Sequence, residues 1–135
     1  MEWKFKDYHY NGNKKFSIEY LNGEKNGKCK EYYDNGKLIF EVKYLNGQKN
    51  GKCKEYYDNG NLKFDGEYLE GKKHGKCKEY YGNNGKLTFE GEYLNGKKYG
   101  KCKEYNVEGK LIFEIEYKIW KTIIWNIIYY YLSLY

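Results

Sequence analysis

Residues 27–50 read GKCKEYYDNGKLIFEVKYLNGQKN, and residues 51–74 repeat them as GKCKEYYDNGNLKFDGEYLEGKKH. A third copy from Gly75, GKCKEYYGNNGKLTFEGEYLNGKKY, and a shortened fourth from Gly100, GKCKEYNVEGKLIFEIEY, set a period of 24, 24 and then 25 residues. A weaker copy covers Trp3 to Asn26, so the array fills residues 3–117, with units starting near 3, 27, 51, 75 and 100. Self-similarity at this period means supersecondary units stacked on their neighbours. Three glycine series keep the same phase: Gly12, Gly36, Gly60, Gly85, Gly109; Gly23, Gly47, Gly71, Gly96; and Gly27, Gly51, Gly75, Gly100. Such spacing points to backbone positions that need positive φ.

Within a unit, Leu38-Ile39-Phe40-Glu41-Val42-Lys43-Tyr44 alternates apolar and polar residues, the period of a half-buried strand. The preceding segment from Lys28 to Tyr33 joins it through Asp34-Asn35-Gly36-Lys37, where Asn-Gly predicts a type I′ hairpin turn. The second connection, Leu45 to Gly51, joins hairpin to hairpin. The fold class is therefore all-β: an elongated, open antiparallel meander of stacked β-hairpin repeats, about ten strands with a period near 24. The extra residue of the third unit falls at Asn83-Asn84, in a turn, where it preserves the facing of every later side chain.

The expected core is read by column. Phe40, Phe64, Phe89 and Phe113, with Phe16, form one column; Tyr44, Tyr68, Tyr93 and Tyr117, with Tyr20, form another on the same face. Between them stand Ile18, Val42, Gly66, Gly91 and Ile115, the glycines leaving room for a ring to lie on the backbone. The Lys-Cys-Lys-Glu-Tyr-Tyr strand alternates less cleanly, which predicts a bulge near Lys30-Glu31 turning Tyr32 inward.

Composition narrows the function classes. The chain has 135 residues, 21% of them aromatic, with 25 Lys+Arg against 19 Asp+Glu and a formal net charge of +6. Lys alternates with Glu instead of clustering, so no nucleic acid is expected as a partner. The start of the chain lacks the apolar run of a secretory leader, which predicts a cytoplasmic location, with peripheral attachment to a membrane as a variant. Cys29, Cys53, Cys77 and Cys102 recur in one register. Equivalent positions two strands apart lie roughly 9–10 Å from one another, too far for disulfides or a shared zinc site. They read as a ladder of small reduced core residues. His9 and His74 stand at unmatched positions, and nothing resembles a nucleophile elbow, a phosphate loop or a metal-ligand run, so no catalytic residue, metal or cofactor is expected.

Phe89-Glu90-Gly91-Glu92-Tyr93, followed by Gly96 and Gly100, resembles the MORN repeat (membrane occupation and recognition nexus). Glu79-Tyr80-Tyr81 and Asn84-Gly85-Lys86-Leu87 are closer to the variant MORN repeat of bacterial proteins, some of which carry the label antitoxin. The resemblance covers residues 3–117. It implies a curved antiparallel sheet used for scaffolding, membrane association or dimerisation.

The expected function is a non-enzymatic interaction module that binds an unidentified protein through the sheet, with Tyr32, Tyr56 and Tyr80 as the partner-binding strip. The alternatives are peripheral binding to anionic phospholipid, homodimer formation, and antitoxin-like neutralisation of a partner, the last implied by family labels alone. Lys49, Lys72, Lys73, Lys97 and Lys98, in the connections, are the candidates for lipid headgroups. Repeat, glycine and acid all stop at the tail, residues 118–135 (KIWKTIIWNIIYYYLSLY). It reads as an apolar cap, a dimer or membrane contact, or a frameshifted continuation, since the codons of Lys-Ile-Trp-Lys read one base later can encode Lys-Tyr-Gly-Lys.

Overall fold

In the computed structural model, which describes residues 1–118, ten strands form one open antiparallel sheet in sequence order. The strands are β1 (Glu2–Tyr8), β2 (Lys14–Leu21), β3 (Glu24–Tyr32), β4 (Leu38–Leu45), β5 (Gln48–Tyr56), β6 (Leu62–Leu69), β7 (Lys72–Tyr80), β8 (Leu87–Leu94), β9 (Lys97–Tyr105) and β10 (Leu111–Tyr117). Ten strands at a spacing of roughly 4.8 Å make a ribbon about 45 Å long. Beyond Lys118 the tail, and every expectation placed on it, lies outside the described residues.

The type I′ turn expected at Asn35-Gly36 is found instead in the connection between hairpins. Asn46 and Gly47 both have positive φ, at 48° and 76°, and join β4 to β5 directly. The type I′ turn therefore lies there, and Gln48 already belongs to a strand. At Asp34-Asn35-Gly36 only Gly36 has positive φ; Gly36 N–H donates to Tyr33 C=O at 2.9 Å, and Tyr33 N–H to Lys37 C=O at 2.8 Å. That is a type I turn closed by a glycine bulge, the three-residue hairpin. In the third unit the corresponding loop is one residue longer, with Gly85 N–H donating to Tyr81 C=O, so the insertion stays inside the turn.

Each odd internal strand shifts register toward both neighbours, by more on the side of the preceding strand than on that of the following one. Gly51 and Lys52 of β5 pair with Tyr68 and Glu67 of β6, yet on the β4 side the register jumps from Cys53 opposite Val42 to Asn50 opposite Lys43. Gly51 adopts φ 84° at this bulge, a conformation costly for residues with a Cβ. A smaller irregularity places Ile39 as the extra residue where Glu31 faces Phe40 and Tyr32 faces Leu38. The bulge thus falls one step later than Lys30-Glu31, with its extra residue on the partner strand. Repeated bulges increase local twist, which bends the sheet the same way in every unit.

The core occupies one face. Ile18, Cys29, Val42, Cys53, Phe64, Cys77, Phe89 and Cys102 are buried, and Phe16, Tyr20, Phe40, Tyr44, Tyr68, Tyr93 and Tyr117 pack against them. Opposed positions run along the array as rows: Phe40, Glu55, Phe64, Glu79 and Phe89 in one, and Val42, Cys53 and Gly66 in the next, with Cys77 opposite Gly91 beside them. Phe113, expected in the core, is 44% exposed, because β10 ends the described sheet and no further described strand flanks it. At the other end, Trp3 stacks on Tyr20 with ring centroids 4.1 Å apart. Trp3 faces Tyr20 as Gly27 faces Tyr44, so β1 places a bulky residue where an internal strand has glycine.

Candidate functional site

The aromatic face is closed by its own lysines. Lys49 Nζ stands 4.3 Å from the Phe40 ring centre and 5.1 Å from that of Tyr68, while pairing with Glu55 at 3.7 Å. Lys73 repeats the arrangement over Phe64 and Tyr93, with Glu79 at 2.6 Å. Lys98 lies over Phe89 and pairs with Glu104. Each ammonium lies over ring faces while it pairs with a carboxylate, so its charge is balanced where it covers the aromatics. Burial works against the charge on Lys98, but the Glu104 hydrogen bond and charge prevail and raise its pKa.

This placement corrects the lysine edge expected from sequence. Because the turn ends at Gly47, Lys49 is a strand residue one step past Gln48 and shares the face of Tyr44, its register partner. Lys73 and Lys98 follow the same alternation. Of the five headgroup candidates only Lys72 and Lys97 are exposed, and Lys49, Lys73 and Lys98 are partly buried.

The cysteines form the centre of the buried face as free thiols. Desolvation pushes Cys29 up to about 11, and Cys53 and Cys77 up to about 12. Thiols held protonated in this way are poor nucleophiles and poor metal ligands.

The opposite face carries two rows of charge and one of tyrosine. Along the first row Lys30 pairs with Glu41 at 3.0 Å, Lys54 with Asp65 at 3.6 Å and Lys103 with Glu90 at 3.9 Å. The second row is made of four register pairs, Lys28 with Lys43, Lys52 with Glu67, Lys76 with Glu92 and Lys101 with Glu116, while across the bulges Lys43, Glu67 and Glu92 face Asn50, His74 and Tyr99. Tyr32, Tyr56 and Tyr80, partly buried, lie two residues beyond Lys30, Lys54 and Lys78 on the same side. Tyr32 therefore does not turn toward the cysteines: the bulge inserts its extra residue on β4 and leaves the alternation of β3 intact. Tyr105 extends this strip, donating from its hydroxyl to Glu90 at 2.9 Å. Sequence reading passed over Tyr105, although it stands 25 residues after Tyr80, as Gly100 stands 25 after Gly75.

A second tyrosine series carries a role that sequence reading also missed. The hydroxyls of Tyr33, Tyr57 and Tyr81 donate to the carbonyls of Tyr56, Tyr80 and Tyr105, at 3.0, 2.9 and 3.0 Å. His9, set aside as unmatched, occupies the same place 24 residues before Tyr33, and its Nε2 lies 2.8 Å from Tyr32 C=O. Asparagines in the turns add parallel rungs: Asn35 to Asp58 C=O, Asn59 to Gly82 C=O and Asn84 to Val107 C=O. His74 is not a loop residue but part of β7, with Nδ1 buried and unpartnered.

Shallow clefts open on the charged face. One, of about 260 Å³, is lined by Lys28, Lys43, Lys52, Lys54 and Tyr56, with Val42 and Cys53 on its floor. No cluster of three or more metal-ligating side chains occurs among the described residues.

The comparisons agree with this architecture. The MORN repeat variant matches residues 25–46 and 49–70, and the MORN repeat matches residues 64–86 and 89–113. No curated protein matches the chain. Repeats of this kind are generally associated with scaffolds that bind protein or membrane lipid. Hairpin units follow one another at a fixed period in one open sheet, and the matched segments together exceed half the sequence; the chain belongs to the MORN repeat family.

Proposed function

We propose that the protein is a non-enzymatic interaction module whose charged face binds another protein, with the tyrosine strip as its apolar anchor. The observation that carries this reading is the division of labour between the faces. Phe, Cys and the first Tyr column are enclosed by Lys49, Lys73 and Lys98, while Tyr32, Tyr56, Tyr80 and Tyr105 remain partly open on the other side. A regular strip of tyrosines among charges combines large contact area with polar tips, the chemistry enriched at protein interfaces. Attachment to anionic lipid has weaker support, since three of its five lysines hold positions over core rings.

The test is affinity capture with the whole chain and with the Tyr56→Ser and Tyr80→Ser double variant, alongside thermal unfolding of each. A protein retained by the parent and lost by an equally stable variant supports the reading. Identical recovery by both, or none by the parent, counts against it. Co-sedimentation with anionic vesicles at two salt concentrations reports on the lipid alternative.

A further inference from the structure

One site on the charged face breaks the rule of its own repeat. In the later units the second charge row opposes a cation to an acid: Lys52 to Glu67, Lys76 to Glu92, Lys101 to Glu116. In the second unit the acid is replaced, and Lys28 directly faces Lys43. Like charges opposed across a strand pair are destabilising. Lys52 follows on β5, displaced toward the same place by the bulge, and all three are exposed and line the cleft with Tyr56.

Among the described residues none of these three lysines forms an ion pair. The two acids in the cleft are already engaged, Glu41 by Lys30 and Asp65 by Lys54. Glu19 lies beside the group, but its carboxylate accepts the backbone N–H of Lys28 at 2.8 Å and pairs with Lys4 at 3.4 Å. Lys28 and Lys43 have no acid opposite them, and Lys52, which faces Glu67 on its other side, adds a third cation at the cleft's edge; together they offer an outside anion a site that the later units lack.

We propose that Lys28, Lys43 and Lys52, with Tyr56 as a wall, receive an acidic segment of a partner protein. The assignment rests on the protein-binding reading above and names the chemistry of the partner. Spacing decides between anions. Cations on three successive strands spread over roughly 10 Å, wider than one phosphate group can bridge, whereas carboxylates at neighbouring positions of a peptide fall about 5–7 Å apart. Tyr56 adds a place for an apolar group between the acids.

The test is fluorescence anisotropy of a labelled hexaglutamate peptide titrated with the full chain, repeated with inorganic phosphate as competitor and at raised salt. The key variant is Lys43→Glu, which restores the Lys-to-acid opposition of the other units and so leaves the fold at least as stable. It should weaken the peptide about tenfold or more, while Lys101→Glu, outside the cleft, leaves affinity unchanged. Equal binding by parent and Lys43→Glu, or displacement by phosphate at equivalent concentration, overturns the proposal. If hexaglutamate fails but a partner is still captured through Tyr56 and Tyr80, the lysine site is wrong and the protein-binding reading stands. If both fail, both readings fall.

Discussion

The Phe64 ring lies down on the backbone of Gly66: a Cβ added at residue 66 would stand 2.7 Å from Phe64 Cζ and 2.6 Å from Cys77 Cβ. One unit earlier Val42 occupies the equivalent place, and there Phe40 is only partly buried while Phe64 is 2% exposed. Ring and row residue thus share one volume, which glycine cedes to the ring and valine does not.

Gly66→Val should therefore destabilise the protein by roughly 1–3 kcal/mol, the range for overpacking a well-filled site. Urea unfolding followed by circular dichroism measures this, and an unchanged midpoint would show that the Phe64 ring can lift at no cost.

A contrasting case concerns Glu70, which holds φ 49° in the β6–β7 turn, where Asn22, Asn46 and Asn95 hold the other three. Asn tolerates the left-handed region better than Glu, because its short amide can bond locally. Glu70→Asn should stabilise by up to about 1 kcal/mol, part of the cost of the left-handed region for a residue with a Cβ, seen as a raised unfolding temperature; a lowered one would mean that Glu70 makes a compensating contact.

Fold and candidate surface differed in how openly the sequence displays them. Strand alternation and period depend on residue type alone, so the columns of Phe40 and Tyr44 could be read directly. The turn types could not, since Asn-Gly occurs in both connections: Asn35-Gly36 and Asn46-Gly47 differ only in whether the asparagine reaches positive φ. Misplacing the tight turn put Lys49 in a loop and hid its contact with Phe40. The facing of Tyr32 depended on which strand carried the bulged residue, a matter of pairing that one strand's pattern does not contain.

Alkali should loosen the aromatic face. Burial raises the thiols of Cys29, Cys53 and Cys77, and it raises Tyr68 and Tyr93 further with the help of the charges and hydrogen bonds of Glu55 and Glu79. Folded pKa values above the unfolded ones mean that this stability is complete below about pH 9 and is lost as pH climbs toward the folded values. The denaturant midpoint should stay level from about pH 7 to 8.5 and fall steadily above 9. Cys53→Ala should reduce the slope of that fall, and a midpoint flat to pH 11 would contradict the assigned cause.

The hydroxyl of Tyr57 reaches Tyr80 C=O at 2.9 Å, and Tyr33 and Tyr81 make the same contact one unit to either side. Each bond joins one unit to the next, so it belongs to the interface that gives a repeat array its cooperativity. Removing a single hydroxyl leaves a partly buried carbonyl without its donor, at a cost of roughly 0.5–1.5 kcal/mol. Tyr33→Phe, Tyr57→Phe and Tyr81→Phe should each lower stability by a similar amount, because geometry and partner are the same in all three. The double variant of Tyr33 and Tyr81, which share no partner, should show the sum of the single effects. Native-state hydrogen exchange would add the spatial test: Tyr57→Phe should speed exchange of amides around the β5–β6 and β7–β8 turns more than those of β1 and β2. Uniform acceleration along the whole sheet would show that the hydroxyls report global stability and do not act as local staples between units.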